Sequence, residues 1–295
     1  MSTVAAAIIG LDTSHTIGFA RAMHDTSLPA EQRIEGMRIT SVHSFVTPFQ
    51  DAVGIAGREK EIRDLGIPIS QSIDESLRDA DAIILAINDP SLHREYYEKV
   101  LHAGKPVYID KPFANTLDNA AAIDSAARTS GVRTASFSSV RYNHAAIAAR
   151  KAVPTCESAS FFGLLSAPPA GSRYYFYPVH TIELMQAAMG NGATSVRAVE
   201  SATGLSSVVT YRDGREASAD MRKSHKWFGG TLMGGGKNAS FVVDWGTFYR
   251  DGAASIRDFF TGSLDVNDTS SALEVMSILD AIDRSCRSGK DASIG

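Results

Sequence analysis

The stretch Ala103-Gly104-Lys105-Pro106-Val107-Tyr108-Ile109-Asp110-Lys111-Pro112-Phe113-Ala114 decides how the rest of the chain is read. Gly104 ends a helix whose apolar residues Leu92, Tyr96 and Val100 recur at helical spacing. Val107, Tyr108 and Ile109 make a short apolar strand, and Asp110-Lys111-Pro112 stands where that strand runs out. In open α/β sheets ligands bind beyond the carboxyl ends of the strands, which puts the Lys111 ammonium at the binding crevice. Pro112 offers no amide donor and narrows the backbone choices of Lys111, stiffening the turn. A lysine held there can polarise a hydroxyl or carbonyl oxygen and help move its proton. Taken alone, the tripeptide reads more simply as a surface lysine in a strand-to-helix turn.

Outward from that stretch, the first part of the chain alternates strand and helix. Residues 4–9 read as a strand, and Thr13 or Ser14 can cap a helix running to about His24. Strands follow at 37–45 and 67–69, with helices at 57–65 and 73–78. Residues 82–87 form an uninterrupted apolar run, as in a parallel strand buried on both faces. A helix at 117–127 and a strand at 132–137 complete the series. Alternation of this kind specifies a right-handed parallel sheet with helices on both faces.

The pattern changes near residue 140. Helices are expected at 145–152, 179–189 and 270–285. Between them period-two runs occur at 158–165, 196–202, 206–212, 215–221, 227–233 and 240–248. Asp213-Gly214 is a hairpin signal, and Gly234-Gly235-Gly236-Lys237 reads as a second turn. The economical architecture is a largely antiparallel open sheet with helices on one side, an α+β domain. The expected division is 1–137 and 138–295, with the last helix able to pack back toward the first domain.

Composition excludes several partners. Of 295 residues, 44% are hydrophobic and 21% charged, an ordinary globular balance, and the net charge of −4 gives no attraction to nucleic acid or to a membrane surface. No apolar run approaches the ~20 residues of a membrane helix. Cys156 and Cys286 are the only cysteines; they fit a reducing compartment, the cytoplasm by default, and suggest no metal site.

With this context laid out, Ala86 to Ala114 resembles the signature region of the glucose-fructose oxidoreductase / inositol dehydrogenase / MocA (Gfo/Idh/MocA) oxidoreductase family. There a buried strand leads to a Thr-Pro-Asn-like turn, then a His, then Ala-Gly-Lys-x-Val and Glu-Lys-Pro. This chain has Asn88-Asp89-Pro90, His93, Ala103-Gly104-Lys105-Pro106-Val107 and Asp110-Lys111-Pro112. Arg141-Tyr142 and the tail from Val275 to Ser285 with Gly289 also look like the family's. The resemblance implies a Rossmann-type first domain, a substrate-binding and oligomerising second domain, and a homodimer or homotetramer. It implies an NAD- or NADP-dependent dehydrogenase acting on a sugar, polyol or related small alcohol, with Lys111 and His180 as catalytic residues. It assigns the cofactor to Gly10, Asp12, Thr13, Ser14, His15, Ser44, Asn88, His93, Asp110, Lys111 and Pro112. Arg141, Tyr175, Phe176, Tyr177 and Glu183 fall to the substrate. An imidazole whose ordinary pKa is about 6.5 suits removal of a hydroxyl proton at neutral pH. His180 also reads as a helix-start residue satisfied by backbone, and Glu183 as a solvated helix carboxylate.

Three departures stand out. The Gly-x-Gly-x-x-Gly fingerprint appears as Gly10-Leu11-Asp12-Thr13-Ser14-His15, keeping only the first glycine. Asp12 adds bulk and charge and could cap the helix in competition with a phosphate, which a protonated His15 would partly offset; Gly18 could ease helix–sheet packing. The second strand, ending Ser41-Val42-His43-Ser44-Phe45, lacks the acidic residue that NAD enzymes use for ribose hydroxyls, and Ser44 or Thr47 with Arg58 could take a 2′-phosphate. Phe176 stands where family members carry an aspartate four residues before the histidine. These departures support a second reading, a non-redox ligand-binding or regulatory relative with weakened dinucleotide binding.

Overall fold

The computed structural model describes residues 3–264 and 269–294. They fall into two compact units, Met1–Ser139 with Trp245–Thr269, and Val140–Asp244 with Ser270–Gly295.

In the first unit the chain runs β1 (Val4–Ile9), α1 (Ser14–His24), β2 (Met37–His43), α2 (Ala52–Asp64), β3 (Ile69–Ser70), α3 (Ile73–Leu77), β4 (Ala82–Leu85), α4 (His93–Val100), β5 (Val107–Ile109), α5 (Leu117–Ser130) and β6 (Thr134–Ser136). The sheet is parallel in the order β3-β2-β1-β4-β5-β6. That order reverses between β1 and β4, the switch point where doubly wound folds open a crevice. Ala6 to Ile9 and Ile83 to Leu85 are fully buried, which explains their unbroken apolar runs. Side chains of Asp51, Ser72 and Thr116 accept backbone N–H groups at the starts of α2, α3 and α5. Gly104 and Gly131 adopt φ of 62° and 68° at the ends of α4's terminal turn and of α5.

The second unit contains α6 (His144–Ala152), β7 (Ser158–Leu164), α7 (Arg173–Phe176), α8 (Pro178–Met189), β8 (Ala193–Glu200), β9 (Gly204–Tyr211), β10 (Glu216–Arg222), β11 (Gly229–Gly234) and β12 (Lys237–Val242). Its sheet has the order β12-β11-β7-β10-β9-β8-β13, where β13 is Ala292–Ser293. Only the β7–β10 pair is parallel. Gly235 and Gly236, at φ 58° and 69°, form the two-residue turn between β11 and β12. Helices α6, α8 and α10 (Ser270–Ser288) pack on the sheet.

Residues 248–261 give the largest difference from the sequence reading. They form a helix, α9 (Phe248–Thr261), which rejoins the first unit and packs on α1. The strand expected at 240–248 stops at Val242. Gly18 serves this helix–helix contact, not the helix–sheet packing expected of it: a Cβ there would collide with the Tyr249 ring. Among the described residues no helix is long and apolar enough to cross a membrane.

Candidate functional site

β1 leads into Gly10 at φ 110°, where a Cβ would collide with the Ala86 carbonyl beyond β4. The first glycine of the fingerprint is therefore required by the backbone. Thr13 is the N-cap of α1, and its hydroxyl accepts the His15 N–H at 3.2 Å. Asp12 does not cap the helix, contrary to expectation. Its Oδ1 accepts the Asn88 N–H at 2.7 Å and its Oδ2 accepts the Thr47 hydroxyl at 2.7 Å. The residue is 1% exposed. Burial pushes its carboxyl above the ordinary aspartate value, while the bonds from Asn88 and Thr47 pull against that rise.

At the end of β5, the Asp110 N–H donates to Leu85 O at 2.8 Å. Its Oδ2 lies 2.7 Å from His15 Nδ1, so two residues assigned to the cofactor are paired with each other. Tyr108 donates to Phe137 O at 2.6 Å with its hydroxyl 3.3 Å from Asp110 Oδ1. Burial opposes the Asp110 charge, but the His15 imidazole and the Lys111 ammonium outweigh it and hold the carboxyl at about 2. The Lys111–Pro112 peptide is cis, and Lys111 is 6% exposed. Burial lowers the Lys111 ammonium from the usual lysine range, opposed by the carboxylates of Asp110 and Asp12. The surface-lysine reading is thereby excluded. A buried lysine shifted downward is better suited to exchanging a proton near neutrality than a solvated one.

His93 is fully buried, with Nε2 2.7 Å from Ile87 O and Nδ1 3.2 Å from Phe113 O. Both ring nitrogens face backbone, so His93 fastens the turn after Lys111 to the end of β4. Ser44 donates to Glu59 Oε1 at 2.5 Å, and Arg63 holds Glu59 Oε2 at 2.9 Å. A carboxylate from α2 thus stands beside the end of β2, where the local sequence has none. Nothing in the sequence pointed to it, because the two residues are 15 positions apart and belong to different elements. Arg58 donates to Leu11 O at 2.9 Å, and Ser14 accepts the Tyr249 hydroxyl at 3.2 Å.

In the second unit, His180 is the third residue of α8 and 4% exposed. Its N–H donates to Tyr177 O at 3.1 Å, and its ring meets Phe228 edge-on at 5.1 Å. Glu183 is not a solvated carboxylate: it is 4% exposed, and its Oε2 lies 3.2 Å from Arg141 Nη1. Two residues assigned to the substrate are therefore an ion pair. Tyr175 points its hydroxyl at Asp280 of α10, 3.4 Å away, and burial with that carboxylate pushes the phenol well up. Phe176 packs edge-on against Tyr177 at 4.9 Å.

Residues 36–137 match the family model described as oxidoreductase family, NAD-binding Rossmann fold. An uncharacterised oxidoreductase of Escherichia coli is 30% identical over 88 residues, 30% of this chain. The match spans 26% of that relative's own length. Among solved structures, scyllo-inositol dehydrogenase of Lactobacillus casei, with bound NAD(H) and scyllo-inositol, has a TM-score of 0.79 at 13% identity, covering 99% of each chain. Myo-inositol 2-dehydrogenase of Lactobacillus plantarum has a TM-score of 0.79 at 15% identity over 100% of each chain. Aldose-aldose oxidoreductase of Caulobacter crescentus, complexed with glycerol, has a TM-score of 0.73 at 17% identity over 99% of each. Residues 36–137 of this chain thus match the NAD-binding Rossmann-fold model of the Gfo/Idh/MocA oxidoreductase family, and along its length the chain has the two-sheet fold of these dehydrogenase structures.

Proposed function

We propose that the protein is an NAD(P)-dependent oxidoreductase acting on a sugar, polyol or related small alcohol. The observation that carries this reading is Lys111, a buried ammonium at the end of β5, lowered by burial and flanked by the Asp110–His15 pair. The residues around it fit a dinucleotide: Gly10 leaves no Cβ between β1 and β4, and a Thr13-capped α1 offers its amino end to a phosphate. Asp12 is the exception, and both of its oxygens are engaged by neighbouring loops.

In alcohol oxidation the nicotinamide supplies the hydride acceptor. The protein's task is the hydroxyl proton. Lys111 Nζ would hydrogen-bond the substrate oxygen and stabilise the charge that develops as its proton leaves. Asp110 stays ionised beside it and keeps the ammonium from losing its proton outright. We assign His180 as the second proton-transfer group, on its position at the start of α8. Arg141 and Glu183, buried and paired, would hold their part of the substrate pocket in one arrangement. The thiols of Cys156 and Cys286, neither in a disulfide, fit a reducing cytoplasm. We also read the protein as a homodimer or homotetramer.

The test is turnover with nicotinamide dinucleotide across a panel of polyols and aldoses, followed by Lys111→Ala on the best substrate. A fall in kcat of about a hundredfold or more is expected in folded protein, with a lowered melting temperature because Asp110 loses its ammonium partner. Undiminished turnover in that variant would remove Lys111 from the mechanism.

A further inference from the structure

Asp12 occupies the place where a second glycine normally lets the backbone approach a pyrophosphate. We propose that its carboxylate keeps the hold on the dinucleotide's pyrophosphate weak. This inference rests on the dinucleotide reading above.

The hydrogen bonds define the state of the carboxylate. Thr47 Oγ1 accepts the Phe49 N–H at 3.1 Å, which leaves its own proton to donate to Asp12 Oδ2. The Asn88 N–H can only donate, and it does so to Oδ1. Both oxygens therefore accept, the arrangement an ionised carboxylate satisfies, and both bonds measure 2.7 Å, within the charge-assisted range. Asp12 immediately precedes the N-cap Thr13, at the end of α1 that attracts anions. A dinucleotide placed there brings its phosphate charges close to a fixed negative charge in a poorly screened place. The carboxylate cannot simply swing aside, since that would strand the Asn88 N–H and the Thr47 hydroxyl. His15 pairs with Asp110 at 2.7 Å, and the Lys111 ammonium interacts with the carboxylates of both Asp110 and Asp12, so these cations are already matched by carboxylate charge before a phosphate arrives. What the chain gains is architecture: one side chain ties the loops after β1, β2 and β4 together at the switch point.

Asp12→Asn separates charge from shape. Asparagine can accept from the Asn88 N–H and donate to Thr47, so the loops stay tied while the charge is gone. Binding of NADH and NADPH is read by nicotinamide fluorescence, and binding of adenosine, which has no phosphate, by calorimetry. Asp12→Gly, which removes the charge together with the side chain, takes its place should the asparagine variant not fold. The expected result is that either variant binds NADH and NADPH about tenfold or more tightly than the wild type, with adenosine affinity unchanged. Wild-type binding with no gain in the variants overturns this inference alone, as does an equal gain for adenosine. No dinucleotide binding by any of the proteins overturns the inference together with the dehydrogenase reading.

Discussion

Asp110 must stay ionised where water scarcely reaches it, at 1% exposure. His15 and Lys111 make that possible, and the consequence is a dependence of stability on pH. The folded carboxyl titrates at about 2 against 3.8 for an ordinary aspartate, a difference worth about 2 kcal/mol. Above pH 3.8 both folded and unfolded chains carry the charge, and the contribution is present in full. As the pH falls from there through about 2, the unfolded chain takes up the proton first and the contribution is lost. Asp110→Asn should therefore lose about 2 kcal/mol in urea unfolding at neutral pH, and the gap should close toward the acid end. A gap of constant size across that range would contradict this account of the pair. Asp110 and Lys111 were visible in the sequence because a short buried strand and a helix-ending glycine precede them. The inward turn of Asp12 was not, since its partners Thr47 and Asn88 lie 35 and 76 positions away.

Among the elements, α9 carries the main lesson. The strands and helices of the parallel sheet were readable because buried strands are continuously apolar and their helices end at glycines such as Gly104 and Gly131. In α9 the buried face includes Asp251, Gly252 and Ser255 beside Phe248, Ile256 and Phe259, which blurs the helical period. Asp251 is tolerated there because the Thr247 hydroxyl donates to it at 2.8 Å and Arg250 pairs with it at 2.9 Å. The contact with α1 depends on Gly18, over which the Tyr249 ring lies. Gly18→Val should force the two helices apart and lower stability by about 1–3 kcal/mol, measured by chemical unfolding. Unchanged stability would mean that Tyr249 can move off the helix without loss. In the second unit, the Asp213-Gly214 and Gly235-Gly236 turns set the register, and the mixed sheet follows from the one parallel pairing of β7 with β10. That pairing has no local signal, because the two strands are separated by α7, α8, β8 and β9.

For the whole molecule, the second sheet bears on assembly. Register places Val199, Ser206, Asp220, Phe162, Gly229 and Val242 in one row across it. Val199 and Val242 in that row are 58% and 50% exposed, and Trp227, in the turn before β11, is 52% exposed. Trp227 and Val242 line one concavity with Phe162, and exposed apolar surface of this kind suits burial against another copy. Light scattering should report a dimer or tetramer at micromolar concentration, and a monomer would contradict the assembly reading. Dinucleotide binding decides between an oxidoreductase and a non-redox relative, and one titration measures it: NAD(H) and NADP(H) added separately to the purified protein, followed by calorimetry or nicotinamide fluorescence. Saturable binding of at least one pair below millimolar concentration is expected. No binding of any form at millimolar concentration would contradict the oxidoreductase reading.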